Sequence, residues 1–223
     1  MKSDTDCLVV LLPGLWMPAW IMIPLQRRLA RDGFSTARFG YASMRADLTA
    51  NAERLARFVE AAGCERIHLV GHSLGGIVAL HATAVHALRA VHRVVMLGSP
   101  YCDSHAAREL ARSDIGRRML GRTVPEWLDA TRPTIPASVE VGVIAGTVEF
   151  GLGRLVVRGL PRPHDGVVSV AETMVGGMKA STQVPVSHSQ MVVSQTVARL
   201  VSCFLLQGDF ESRADTRAVE SVV

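Results

Sequence analysis

Six short apolar runs, at residues 7–12, 35–39, 66–71, 93–98, 139–145 and 182–186, alternate with amphipathic segments at 20–31, 48–61, 74–87 and 190–206. The first, third, fourth and fifth runs are rich in Val, Ile and Leu, the composition of parallel strands buried on both faces. Strand and helix in alternation predict a three-layer α/β fold in one domain. Its core is an open, mostly parallel sheet of about six strands with helices on both faces. A chain of 223 residues, 48% of them hydrophobic, suits one such domain and buries most of its apolar surface. Two segments break the rhythm. Residues 101–135 hold short helical pieces (AARELARS, IGRRMLGR, PEWLDA) and no strand, which makes them a candidate helical cap. Residues 147–180 are irregular and glycine-rich. The domain is expected to span 1–207, with 208–223 a polar, frayed tail.

Several function classes are disfavoured at once. The residues before the first run are acidic where an export signal is basic, so 7–12 reads as a core strand. No apolar stretch approaches the roughly 20 residues of a membrane-spanning helix, so no transmembrane segment is expected. The net charge of +4 comes from scattered arginines without interleaved aromatics, so no nucleic-acid partner is expected. Cys7, Cys64, Cys102 and Cys203 lie far apart with no CxxC pair. That spacing argues against a zinc site and a disulfide framework, and suits reduced thiols in a cytoplasmic protein. There is neither an HExxH nor a GxxxxGK[ST] motif, and no cofactor or metal is expected. Nothing in the sequence sets an oligomeric state.

Residues 69–77 read LVGHSLGGI. They put Ser73 on the sharp turn between the strand at 66–71 and the helix at 74–87. Such a turn strains the serine backbone and brings its flanks so close to neighbouring chain that side chains do not fit, which accounts for Gly71 and Gly75. Gly76 then permits tight helix–strand packing. A glycine-rich turn with an idle serine is the alternative, but the strand–turn–helix setting favours a nucleophile elbow, G-x-S-x-G. A serine hydroxyl needs a base, and histidine titrates near the working pH. Of eight histidines, His188 follows the last strand at the carboxyl edge, where open sheets bind ligands. His72 adjoins Ser73, but neighbours on a tight turn point apart. His68 lies in a strand and His81 and His86 lie in a helix, while His105 and His164 sit less favourably. For the acid that orients the base, Asp165 in PRPHDGVVSV leads, backed by the turn at Gly166. Taken alone, Asp-Gly is as well explained by an ordinary turn. Glu149 comes second, ahead of Asp103 and Glu172.

With these residues the chain resembles the α/β-hydrolase superfamily, and within it the small bacterial serine esterases and lipases, over about residues 7–206. LLPGLW follows the first strand, HDGVVSV resembles the acid-bearing segment of bacterial lipases, VSHSQM resembles their late histidine, and the order Ser, Asp, His is kept. The resemblance implies an α/β-hydrolase fold and an ester hydrolase that works through an acyl-enzyme, with Ser73, Asp165 and His188 as its triad. Glu149 stands where many other members carry their acid. The resemblance also implies an oxyanion hole of two backbone N–H groups, one from Leu74 and one from Leu15. The loss of one such donor costs about 3 kcal/mol. The usual His-Gly of the first loop is here Pro13-Gly14. The donor is main chain and survives the change, but the side chain that often braces this loop is missing. The calcium of secreted relatives has no acidic cluster near Asp165 or His188, so none is expected. The implied substrate is a small-molecule acyl ester. Trp16, Met17 and Trp127 are expected to line its pocket, with Trp20, Met22 and Met119 either pocket or core. The same triad serves a thioesterase or an acyltransferase, and some proteins of this fold only bind. Retention of all three residues in order favours an enzyme.

Overall fold

A computed structural model of the chain describes residues 7–150 and 159–211. Most of the expected polar tail lies outside the described residues, as do residues 1–6 and residues 151–158 of the glycine-rich segment. The strands are β1 (Cys7–Leu12), β2 (Ser35–Arg38), β3 (Arg66–His72), β4 (Val91–Leu97), β5 (Glu140–Gly146) and β6 (Ala180–Val184). The α-helices are α1 (Ile23–Arg31), α2 (Leu48–Ala61), α3 (Leu74–Val85), α4 (His105–Leu110), α5 (Asp114–Leu120), α6 (Thr123–Asp129) and α7 (Gln195–Gln207).

The six strands form one sheet in the order β2-β1-β3-β4-β5-β6, and every pair is parallel. Alternate side chains of the central strands enter opposite cores, as a period of two requires. Val10, Leu12, Ile67 and Leu69 pack with α2 and α3 on one face. Val9, Leu11 and Val70 pack with α1 and α7 on the other. The chain lays β2 on one side of β1 and β3 on the other, so the loops after β1 and β3 diverge over a crevice at the carboxyl edge, the usual ligand position in such sheets.

The differences from the sequence reading lie at element ends. Helix α1 starts at Ile23 because 19–22 forms a 3₁₀ turn, and Pro24 sits in the first helical turn, where its missing N–H costs nothing. Helix α7 starts five residues late. Ser194 caps it, accepting from the Val197 N–H at 3.3 Å, and a 3₁₀ turn at Ser189–Val192 precedes the cap. Strand β6 begins two residues early. It is an edge strand of sequence ASTQV, so its position follows from pairing with β5, Gly142 opposite Ala180, and not from an apolar run.

The segment at 101–135 carries α4, α5 and α6. Its helix α6 is pinned to the start of α2. The Glu126 carboxylate accepts from the Leu48 N–H, the Thr49 N–H at 3.2 Å and the Thr49 hydroxyl at 2.6 Å. The Thr123 hydroxyl donates to the Ala46 carbonyl at 2.8 Å and accepts from Asn51 at 3.0 Å.

Candidate active site

Ser73 joins β3 to α3 with φ 53° and ψ −123°. This region is costly for a residue with a side chain, by about 1–3 kcal/mol, and such strain collects at functional sites. The glycines around it answer to close approach. A Cβ on Gly71 would run into the Gly75 and Gly76 backbone, one on Gly75 into the carbonyls of Leu12 and Pro13, and one on Gly76 into the Ser99 hydroxyl. The turn therefore packs against both the β1 loop and the β4 loop. The Ser73 N–H is held by the Leu97 carbonyl at 2.8 Å.

His188 and Asp165 meet across 23 residues of chain. His188 Nδ1 lies 2.7 Å from Asp165 Oδ2. The other carboxylate oxygen, Oδ1, accepts from the Val167 and Val168 N–H groups at 2.9 and 2.8 Å. The Asp165 carbonyl also accepts the His188 N–H at 2.9 Å, which ties the two loops together by main chain. Gly166 has φ 97°, which only glycine adopts without strain, and the turn it makes aims Val167 and Val168 back at the carboxylate. Asp165 is 1% exposed, so its carboxylate meets His188 away from water. A carboxylate at Nδ1 holds the imidazole proton there and leaves the Nε2 lone pair open.

The other carboxylates weighed from the sequence are engaged elsewhere. Glu149 pairs with Arg162 at 2.7 Å, and its Oε1 lies 3.6 Å from His164. Asp103 pairs with Arg108 at 2.7 Å. Glu172 accepts from the Ser169 N–H and hydroxyl at 2.7 and 2.8 Å.

Two residues that the sequence left in the background belong to the site. His72 is fully buried, its Nε2 lies 2.9 Å from the His188 carbonyl, and the two rings are 4.7 Å apart. A carbonyl only accepts, so Nε2 carries the proton. Burial, and then the neighbouring His188, hold the His72 pKa at about 3, which makes it a neutral strut under the His188 loop. Tyr41 supplies the brace absent from the first loop by donating its hydroxyl to the Pro13 carbonyl at 2.9 Å. Burial raises its pKa, so it stays a donor. Neither contact leaves a local sequence signal, since the partners lie 116 and 28 residues away.

Ser73 and His188 line one cavity of about 530 Å³ at the crevice. Leu15, Trp16, Met17, Leu74 and Trp127 line it too, with Leu120 of α5 and Val124 of α6. No Asp, Glu, Lys or Arg is among its described lining residues. The other hydrophobic candidates lie elsewhere. Met22 is fully buried core, while Trp20 and Met119 are 60% and 40% exposed and are not among the cavity's lining residues. Leu74 is the first residue of α3, so its N–H has no partner within the helix. Among the described residues, no group of three or more His, Cys, Asp or Glu side chains is placed to hold a metal ion. No helix there is long and apolar enough to cross a membrane.

Comparison with known proteins agrees with this architecture. A model of the alpha/beta hydrolase family matches residues 9–209. No curated protein matches by sequence. Among solved structures, the chain is similar to the propeptide form of the Bacillus licheniformis lipase BlEst2, with 17% identity and a TM-score of 0.71. That likeness covers 86% of this chain but 48% of the lipase chain, so this chain spans about half its length. It is also similar to the metagenomic carboxyl esterase MGS0156, with 17% identity and a TM-score of 0.66 over 99% of this chain and 77% of that one. A third likeness is to the RedJ thioesterase of the Streptomyces coelicolor prodiginine pathway, with 15% identity and a TM-score of 0.61 over 92% and 86%. At these identities the structural likenesses speak to the fold.

Proposed function

Because the chain belongs to the alpha/beta hydrolase family, we propose that it hydrolyses carboxylic esters of apolar acyl groups through an acyl-enzyme on Ser73. His188 Nε2 takes the Ser73 proton as the hydroxyl oxygen bonds to the ester carbonyl carbon. Asp165 keeps the His188 proton on Nδ1 and stabilises the imidazolium that forms. The N–H groups of Leu74 and Leu15 receive the oxyanion. Collapse of the tetrahedral intermediate breaks the ester C–O bond, and the leaving alkoxide takes the proton from His188. A water molecule, deprotonated in turn by His188, then cleaves the acyl-serine and releases the acid.

The observation that carries the reading is the buried Asp165–His188 pair at 2.7 Å, with His188 lining the same cavity as a strained serine. A thioesterase or acyltransferase would use the same three groups. The described part of the cavity lining supports small uncharged esters, since no Lys or Arg is among those residues to meet the phosphates of a CoA thioester. The test pairs p-nitrophenyl ester and acyl-CoA turnover with labelling by a fluorophosphonate probe. Wild type is expected to be labelled on Ser73 and to prefer the ester, and Ser73→Ala to lose both label and turnover while keeping its melting temperature. Near-wild-type turnover by Ser73→Ala would overturn the serine mechanism, and preferred acyl-CoA turnover would replace the ester by a thioester.

A further inference from the structure

The loop after β1 is fixed at its base by Tyr41 and pressed against the elbow, since a Cβ on Gly14 would lie 3.2 Å from the Ser73 Cβ. Its tip is held differently. Trp16 takes φ 63°, a conformation that bulky residues rarely adopt, and is 54% exposed, so burial does not account for the strain. What the conformation achieves is a hydrogen bond across 103 residues: the indole N–H donates to the Met119 carbonyl at 2.8 Å. Met119 lies in the last turn of α5, where carbonyls have no partner within the helix. The next residue, Leu120, forms part of the cavity wall.

We propose that Trp16 is a positioning residue that latches the oxyanion loop to the cap, so that an acyl chain seated against the cap fixes the loop bearing the Leu15 N–H. This rests on the ester-hydrolase reading above. The chain of contact is short. The acyl group packs on Leu120, Val124 and Trp127, α5 is held in place, the Met119 carbonyl holds the indole, and the indole holds the residue next to Leu15. A substrate too short to reach the cap leaves the latch unsupported. Cap occupancy is therefore read in kcat, through the oxyanion donor, as well as in KM.

Trp16→Phe keeps an aromatic wall and removes the indole N–H. The experiment compares p-nitrophenyl acetate and octanoate in wild type and W16F, alongside hydrogen exchange of the Leu15 amide with a non-hydrolysable alkyl phosphonate bound. In wild type, kcat is expected to be higher for octanoate. In W16F, kcat for octanoate should fall about fivefold, the equilibrium shift of one ordinary hydrogen bond, a larger drop than for acetate, with KM for octanoate within twofold. Leu15 exchange should accelerate. A W16F enzyme that keeps the octanoate advantage in kcat, or that loses only in KM, overturns the proposal and leaves Trp16 as a pocket wall. If no ester turns over even in wild type, the ester reading has failed separately, and unchanged Leu15 exchange in W16F would then overturn the latch by itself.

Discussion

Two histidines make the stability of this protein steeply dependent on pH in a window where few other groups titrate. His72 and His68 are both held at about 3 in the folded protein. Burial is the main cause for each, seconded by His188 at His72 and by Arg93, His92 and Arg66 at His68. In the unfolded chain both return to about 6.5. Between the two values the unfolded state binds protons that the native state refuses, so stability is highest above pH 6.5 and falls as pH drops toward 3. From pH 7 to pH 5 each histidine contributes a loss of about 2 kcal/mol, roughly 4 kcal/mol together, against a typical total of 5–15. Half-buried His81, lowered chiefly by burial, adds in the same direction. Burial pushes Glu140 up, but Lys179 and Arg93 outweigh it and hold the carboxyl below its usual range, so its contribution is lost only below the pH 5 to pH 7 interval. Urea denaturation at pH 7 and pH 5 reads the difference directly, and His68→Leu should cut the pH-dependent part by roughly half. Equal stability at the two pH values, or an imidazole of His68 or His72 titrating near 6.5 by NMR, would refute the reasoning. The same charging of His72 would set a cation 4.7 Å from the His188 ring, so the neutral form suits the role proposed for His188 as well as folding.

Two further predictions concern the site. In Asp165→Asn, the Val167 and Val168 N–H groups hold the amide oxygen, so the NH₂ faces His188 and forces its proton to Nε2. That tautomer accepts no proton from Ser73, and kcat should fall by about four orders of magnitude with the melting temperature nearly kept; a loss below tenfold would move the acid elsewhere, with Glu149→Gln as the control. Tyr41→Phe leaves the Pro13 carbonyl without its donor and should lower stability by about 1–2 kcal/mol in urea titration and reduce kcat more than it changes KM.

Burial and local sterics explain which parts of this molecule were legible in its sequence. Strands β1, β3 and β5 announce themselves because both faces are largely buried, which favours runs rich in Val, Ile and Leu. The elbow is legible because its constraints fall within six residues: Gly71 and Gly75 stand where a Cβ would meet backbone, and no other residue type satisfies that. Strand β6, at the sheet edge, has no such demand on its outer face, and its position is set by hydrogen bonds to β5 that no composition encodes. The candidate acids show the same division. Asp165 and Glu149 both follow β5, and the sequence ranks Asp165 first on its Asp-Gly turn and the segment around it. Their separation comes from Arg162, which engages Glu149, and from the turn at Gly166, which turns two amides onto Asp165. The residues that slipped past, His72 and Tyr41, each hold a backbone carbonyl of a loop distant in sequence. A carbonyl has no residue identity, so its partner leaves no trace in the order of amino acids. It follows that a site of this kind is legible in its reacting groups, which chemistry restricts to a few side chains, and illegible in the struts that keep those groups in register.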